Sequence, residues 1–241
     1  MKVTLSLETT TSSDVSIMVD ALRASTTITL ALNNFKKIIP CFSPQEAFKL
    51  KEEVGGIIAG ERGGQMIEGF DIGNSPQKVE MYESPSEVLI LTTSNGTRIL
   101  ENMNSTVLIG SMVNAKAVGK KSAEMTKTHI DVVMAGVNGE FVLEDFLASG
   151  EILYWICQNL DDCEISEYAK SAILASRDYE SVKEGFLTSR TGKRLTELGH
   201  KKDVEYCLLK NKVRALFTET WSHHVVLSLT FWLNYSASFL H

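Results

Sequence analysis

The signature motifs of several common enzyme classes are missing from this 241-residue sequence. It has no GxxxxGKS/T phosphate loop, no GxGxxG dinucleotide fingerprint and no GxSxG nucleophile elbow. None of its four cysteines is followed by arginine six positions later, as the loop of a cysteine phosphatase requires. The position two residues after Asp20 is Leu22, whereas an aspartate phosphatase of the haloacid type has a second aspartate there. These absences exclude P-loop nucleotide-binding proteins, Rossmann-type dinucleotide-binding enzymes, hydrolases with a nucleophile elbow, and the cysteine and haloacid-type phosphatases.

The cysteines and histidines lack the spacing of a metal site. Cys41, Cys157, Cys163 and Cys207 include no CxxC pair, so we expect reduced thiols rather than a zinc site or a disulfide framework. No two of the five histidines have the spacing of zinc ligands on a helix. A zinc enzyme is therefore not expected.

The chain also lacks an excess of basic residues and a long apolar run. Lys and Arg total 24 against 30 Asp and Glu, a formal net charge of −6, whereas a nucleic-acid-binding protein usually has a basic face. A membrane helix needs about 20 mostly apolar residues, and the apolar run near the C-terminus is interrupted by Ser228 and Thr230. The opening segment MKVTLSLETTTSSD has no apolar region typical of a secretory signal. We therefore expect a cytoplasmic protein that binds neither nucleic acid nor membrane.

Short β-branched runs alternate with helical segments along most of the chain. This alternation predicts an α/β fold, with a mainly parallel sheet flanked by helices and a helical C-terminal third. Ser43-Pro44 and Ser75-Pro76 predict two helix starts, because serine caps a helix and proline suits its first position. Six strands are predicted, at residues 15–20, 37–42, 56–60, 88–92, 106–109 and 130–135. We predict one domain over residues 1–212, followed by an atypical apolar tail over residues 213–241.

Polar side chains gather at the predicted strand ends, where open α/β sheets bind their ligands. Arg23, Arg62 and Arg98 each follow a strand, and an arginine can bind an oxyanion through two parallel N–H donors. Asp20 closes an apolar strand, where a carboxylate needs a partner. It would serve as a metal ligand, as a nucleophile that accepts a phosphoryl group, or as a helix cap. Together these residues indicate an anionic ligand held with a hard metal ion.

Two segments place hydroxyl groups at the start of a helix, at residues 25–27 (STT) and 94–97 (SNGT). Backbone N–H groups and hydroxyls at such a position can bind a phosphate. An ordinary capped turn has the same composition, so both interpretations stay open.

Acidic residues also follow the last predicted strand. Glu140 and Glu144 are four positions apart and would share a helix face, which suits two oxygen ligands of one Mg²⁺ but also complements a helix dipole. Asp71 lies in a glycine-flanked loop, where it would bind the ion or cap a turn. Asp145 is expected to point away from Glu144 and is the weaker candidate.

Five segments in order resemble the ComB family of 2-phosphosulfolactate phosphatases. They are VDALRASTTI, GERGG…EGFDIGNSP, LTTSNGTR, AGVNGEFVLEDFLASGEIL and TGKRLTELGHKKDVEYC, which span most of the chain. The resemblance implies an α/β fold distinct from the common phosphatase folds and a Mg²⁺-dependent hydrolysis of 2-phosphosulfolactate to 3-sulfolactate and phosphate, a step of coenzyme M biosynthesis. The tail departs from the family, whose members usually end in a short stretch with Asp and a Val-Pro.

With this resemblance, the candidate residues receive hypothetical roles. Two or three of four carboxylates would bind Mg²⁺, namely Asp20, Asp71, Glu140 and Glu144. Three residues would be catalytic, namely Asp20, Arg23 and Arg62. Asp20 would be the nucleophile if a phosphoenzyme forms; otherwise a carboxylate would orient the attacking water. The remaining candidates would bind the small anionic substrate: Ser25, Thr26, Thr27, Asn74, Ser94, Asn95, Gly96, Thr97, Arg98 and Asn138.

Other functions stay open at this point. A phosphatase for another 2-phospho-hydroxy acid would use the same donors, since sulfonate and carboxylate bind alike. A non-catalytic binder of small phosphorylated or sulfonated acids would keep the arginines but would not need the carboxylates. An interaction protein would use the apolar tail, and a homodimer is the expected assembly.

Overall fold

The computed structural model describes residues 1–94, 99–100, 103–213, 220–221, 224–225 and 227–228. Its strands are β1 Lys2–Leu7, β2 Val15–Val19, β3 Lys37–Cys41, β4 Ile57–Arg62, β5 Gln65–Met66, β6 Val88–Thr92, β7 Thr106–Ile109, β8 His129–Met134, β9 Glu164–Ile165, β10 Thr220–Trp221, β11 His224–Val225 and β12 Leu227–Ser228. Its helices are α1 Ala24–Ala31, α2 Pro44–Val54, α3 Pro76–Glu80, α4 Ala115–Met125, α5 Leu143–Cys157, α6 Glu167–Ala175, α7 Tyr179–Thr188, α8 Arg190–Glu197 and α9 Lys201–Cys207. A short 3₁₀ turn, Met112–Asn114, precedes α4.

Most strands form two five-stranded, mainly parallel sheets, and β10 and β11 form a separate antiparallel pair. The first has the order β7-β2-β8-β1-β9 and is parallel throughout. The second has the order β12-β3-β6-β4-β5, with a parallel centre and antiparallel edges. The predicted α/β class and the helical C-terminal third are confirmed, and all six predicted strands are present. The sequence pattern did not show that the six strands divide equally between two sheets, or that an additional strand, β1, belongs to the first sheet.

Helix α1 lies between the two sheets. All eight of its residues are buried, and Ile28 shares a hydrophobic cluster with Met18 of β2 and Leu91 of β6. The neighbours of Met18 along β2, Ile17 and Val19, belong to another cluster, on the face covered by α4–α9. Because successive side chains of a strand point to opposite faces, β2 packs apolar side chains on both faces of the first sheet. Arg23, which directly precedes α1, donates to Gly64 O, so the turns after β2 and β4 meet at the start of α1.

The serine-proline helix starts are confirmed. Ser43 Oγ accepts a hydrogen bond from Glu46 N at 3.1 Å, and Ser75 Oγ accepts one from Lys78 N at 3.4 Å. Each bond satisfies one of the N–H groups that a first helical turn leaves without a partner.

A buried carboxylate joins β1 to β8 far from the strand ends. Asp131 is fully buried, and it accepts hydrogen bonds from Thr4 Oγ1 at 2.6 Å, Ser6 Oγ at 2.9 Å and Thr11 N at 2.6 Å. Polar residues therefore occupy the face of β1 opposite Val3 and Leu5, which pack in the core.

Gly150 permits a close contact between α5 and α6, and we expect alanine there to be strongly destabilising. A Cβ atom at this position would lie 2.1 Å from Ala172 O. Relieving that overlap requires the helices to separate, so G150A should lower the free energy of unfolding by about 2–3 kcal/mol, measured by urea denaturation. The neighbouring variant S149A is the control, since the buried Ser149 Oγ has no partner in the described part of the chain. Equal midpoints for G150A and S149A would contradict the close contact.

Within the described residues, no helix is both long and apolar enough to cross a membrane. The four cysteines are free thiols, as expected. The tail falls largely outside the described residues; of its described parts, Leu227 and Ser228 pair with Ile38 and Lys37 at the edge of the second sheet.

Candidate active site

Asp145 joins the ends of two neighbouring strands in the first sheet. It lies in the first turn of α5, where Ala21 N donates to its Oδ1 at 2.8 Å and Gly136 N donates to its Oδ2 at 2.9 Å. Ala21 follows β2 and Gly136 follows β8, and Gly136 has a φ of 62°, which favours glycine. The sequence pattern ranks Asp145 below Glu144, because it is expected to point away from Glu144. The bond from Ala21, 124 positions away, could not be found from that pattern.

Three carboxylates are buried together beside these strand ends. Asp20, Glu144 and Asp145 are 7%, 1% and 2% exposed. Burial raises the pKa of Asp145 well above the usual range of a carboxyl, and the negative charges of Asp20 and Glu144 raise it further, against the opposing effect of its two backbone donors. Glu144 Oε2 has no hydrogen-bond partner among the described residues. An unpartnered buried carboxylate oxygen beside other acids is costly without a cation or a donor to complete it.

Arg23 is held beside this acid cluster by the C-terminal helices. Its NH1 donates to Asp203 Oδ2 of α9 at 2.6 Å, and its NH2 donates to Gly64 O in the turn after β4 at 2.8 Å. Asp203 Oδ1 accepts from Ser75 Oγ at 2.6 Å. Asp203 was not among the predicted site residues; the signal that included it was the last of the five family-like segments, which assigned it no role.

Arg62 and Glu61 tie together the strand ends of the second sheet. Arg62 NH2 donates to Thr92 Oγ1 at 2.9 Å and to Phe42 O at 2.9 Å. Glu61 accepts from Gly64 N at 2.7 Å and from Ser94 N at 2.8 Å. These bonds fix the turn after β4 relative to Thr92 and Ser94 at the end of β6. The rest of the predicted phosphate-binding turn, Asn95, Gly96, Thr97 and Arg98, lies outside the described residues.

The hydroxyls at the start of α1 have partners within the protein. Ser25 Oγ accepts from Asp20 N at 2.8 Å, Thr26 Oγ1 donates to Ala21 O at 3.2 Å, and Thr27 Oγ1 donates to Asn74 O at 3.5 Å. These bonds hold the turn after β2 and the loop before α3, so the predicted substrate contacts of Ser25, Thr26 and Thr27 stay predictions. Asn74 differs: it is 4% exposed, and its Oδ1 has no partner among the described residues.

The structure does not bring the four predicted metal ligands together. Asp71 accepts from Lys51 Nζ at 2.7 Å and from Ile58 N at 2.8 Å, beside the first half of β4 rather than its end. Glu140 is exposed and forms an ion pair with Arg190. In the described residues no three His, Cys, Asp or Glu are grouped as a metal site. Asp20 and Glu144 both lie near enough to Asp145 to act on its charge, and the strands that precede them, β2 and β8, are adjacent in the sheet.

Asn138 lies in the turn between β8 and α5. It has a φ of 53° and is exposed, and this left-handed conformation is one that asparagine tolerates. The conformation accounts for asparagine at this turn without a ligand, so its predicted substrate contact stays a prediction.

Comparisons with known proteins agree across nearly the whole chain. A family profile described as 2-phosphosulpholactate phosphatase matches residues 2–220. The chain is 46% identical over 211 residues to the 2-phosphosulfolactate phosphatase of Methanothermobacter thermautotrophicus, covering 88% of this chain and 89% of the relative. It is 36% identical over 203 residues to a probable 2-phosphosulfolactate phosphatase of Clostridium acetobutylicum, with coverage of 82% and 86%. A protein of the same name from Carboxydothermus hydrogenoformans is 39% identical over 200 residues, with coverage of 81% and 82%.

Proposed function

The chain belongs to the 2-phosphosulfolactate phosphatase family, and from this premise we propose that it uses Mg²⁺ to hydrolyse 2-phosphosulfolactate to 3-sulfolactate and phosphate. It is a phosphatase, a hydrolase of phosphoric monoesters. Where the source makes coenzyme M, the sulfolactate product would enter its synthesis.

The observation that carries the proposal is the acid cluster of Asp20, Glu144 and Asp145 next to Arg23. A protein that only binds an anion has no use for three buried carboxylates, because they repel the ligand. A phosphatase needs them, since phosphoryl transfer depends on positioning and on neutralising charge around the transferred group.

The residues present suit a magnesium ion. Mg²⁺ commonly takes one or two carboxylates from the protein and completes its shell with water and substrate phosphate. Asp20 and Glu144 are the two that would hold it, and the unpartnered Glu144 Oε2 supports this choice. When bound, the ion would neutralise negative charge on the phosphate oxygens. Asp145 holds the turns after β2 and β8 instead, since backbone N–H groups occupy both of its oxygens.

The remaining groups of the site would bind the substrate and carry the chemistry. Arg23 has five N–H donors, of which the described residues take two, so others can bind the phosphoryl oxygens. Asn74 offers its buried amide, and Arg62 and the turn after β6 would contact the sulfonate and carboxylate. Asp20 either attacks phosphorus and forms an aspartyl phosphate that water then hydrolyses, or orients a water that attacks directly. In both routes the P–O ester bond breaks and the alkoxide of sulfolactate takes up a proton.

Phosphate release by the purified full-length protein tests this function. We expect release from 2-phosphosulfolactate that depends on Mg²⁺ and exceeds release from 2-phospholactate and 2-phosphoglycolate. Faster release from 2-phospholactate would redirect the proposal to another 2-phospho-hydroxy acid. No release from any of the three by folded protein with Mg²⁺, together with binding of the substrates in calorimetry, would identify a binder and contradict the proposal.

A further inference from the structure

We propose that Asp203 is a positioning residue, which holds Arg23 and the loop of Asn74 and Ser75 in place to bind the transferred phosphoryl group. This assignment rests on the proposed function. It goes beyond it by giving the C-terminal helices a part in the reaction.

The first argument is the way in which Asp203 uses both of its oxygens. One accepts from Arg23 NH1 and the other from Ser75 Oγ, each at 2.6 Å. A carboxylate engaged in this way is neither the nucleophile nor a free ligand for an ion. It acts on the substrate through the two residues that it holds.

The second argument is burial. The side chains of Arg23 and Asp203 are 3% and 6% exposed. A buried ion pair contributes little net stability compared with apolar residues, but removing one partner leaves an uncompensated charge. With Asp203 in place, the Arg23 side chain stays fixed while it presents its remaining donors. A guanidinium held in this way needs little reorganisation as charge develops on the phosphoryl oxygens.

The third argument is the placement of the neighbouring loops. Ser75 also caps α3, and Asn74 O accepts from Thr27 Oγ1, so the backbone around Asn74 is fixed on both sides while its Oδ1 has no partner among the described residues. On the other side of Arg23, Gly64 O accepts from Arg23 NH2, and Arg194 NH2 of α8 donates to Gly63 O at 3.0 Å. Helices α8 and α9 therefore hold the two loops beside the Arg23 side chain, through Arg194 and Asp203 respectively.

The test compares D203N, R23Q and the double variant D203N/R23Q, with D131N as the matched control. Asparagine at position 203 can still accept from Ser75, but its amide turns a donor toward Arg23. We expect kcat for 2-phosphosulfolactate to fall about 100-fold in D203N, the size of effect that a misplaced group produces, with KM changed less than about threefold. In the R23Q background, D203N should change kcat by less than about threefold, because asparagine keeps the bond from Ser75 and the part of the effect that D203N removes passes through Arg23.

The control and the double variant separate positioning from folding. D131N makes the same change at another buried, hydrogen-bonded aspartate, so it should lower the melting temperature while keeping kcat. If D203N alone fails to fold, the double variant removes the unpaired charge and is compared with R23Q. Independent, multiplicative losses in D203N and R23Q, or wild-type kcat in folded D203N, would overturn the assignment. An inactive wild-type protein would overturn the proposed function instead.

Discussion

Asp20→Asn is expected to lower kcat at least about 1000-fold, the scale of loss seen when an essential catalytic group is removed, without unfolding the protein. Asp20 directly follows β2 and belongs to the acid cluster, and its backbone N–H donates to Ser25 Oγ, a bond that asparagine keeps. The asparagine amide, however, cannot attack phosphorus, and it carries no negative charge with which to bind Mg²⁺. Single-turnover and steady-state phosphate release would measure the loss, and circular dichroism would check the fold.

D131N serves as the control here as well, since it neutralises a buried aspartate away from the strand ends. Activity of D20N within about tenfold of wild type would remove Asp20 from the chemistry, because losses that small are typical of indirect effects. If D20N is inactive as expected, acid quenching of the reaction distinguishes the two routes. A phosphoprotein trapped in the wild type but not in D20N identifies Asp20 as the nucleophile. No phosphoprotein in the wild type favours direct attack by water.

The second large effect is expected from Glu144→Gln, which should weaken Mg²⁺ binding at least about 100-fold, more than the loss of an outer-shell partner costs. The change removes the charge of a carboxylate that is 1% exposed and has an oxygen without a partner among the described residues. Isothermal titration of the metal-free protein with Mg²⁺ measures the affinity directly, without relying on turnover.

The same variant should change stability in the opposite direction. In the metal-free protein, Glu144 adds to the repulsion within the acid cluster, as the raised pKa of Asp145 indicates. E144Q relieves part of that repulsion, so its melting temperature in EDTA should be above that of the wild type. A site that is strained without its ligand commonly shows this trade-off between stability and activity.

E151Q is the matched control for this experiment. Glu151 lies seven residues later on the same helix and is also buried, but it already has partners in Trp155 Nε1 at 3.0 Å and Lys210 Nζ at 2.7 Å. E151Q should lower the melting temperature and keep the affinity for Mg²⁺. Unchanged affinity in E144Q would contradict the assignment. Weakening in E140Q and D71N instead would favour the ligands that only the sequence pattern indicated.

Much of this protein is determined by patterns that are local in the sequence. The run VLILT predicts the strand Val88–Thr92 to the residue, and the two serine-proline pairs predict the starts of α2 and α3. Asp20, Arg23 and Arg62 stand where a predicted strand ends. Such features depend on residues a few positions apart, so alternation and capping are sufficient to find them. The five family-like segments likewise identify the family without any coordinates.

The tertiary structure alone decides which of these residues meet. An apolar run buried on both faces fits either sheet equally well, so the division of the strands could not be read from the pattern. Asp145 is oriented by Ala21, 124 positions away, and Asp203 meets Arg23 across 180 positions. Glu140 and Glu144 show the same limit. Their spacing is that of one helix face, yet α5 begins at Leu143, which leaves Glu140 in the exposed turn and buries Glu144. Whether a carboxylate binds an ion, holds two loops together or forms a surface ion pair depends on the residues packed against it. Those residues are distant in the sequence, so no local pattern identifies them.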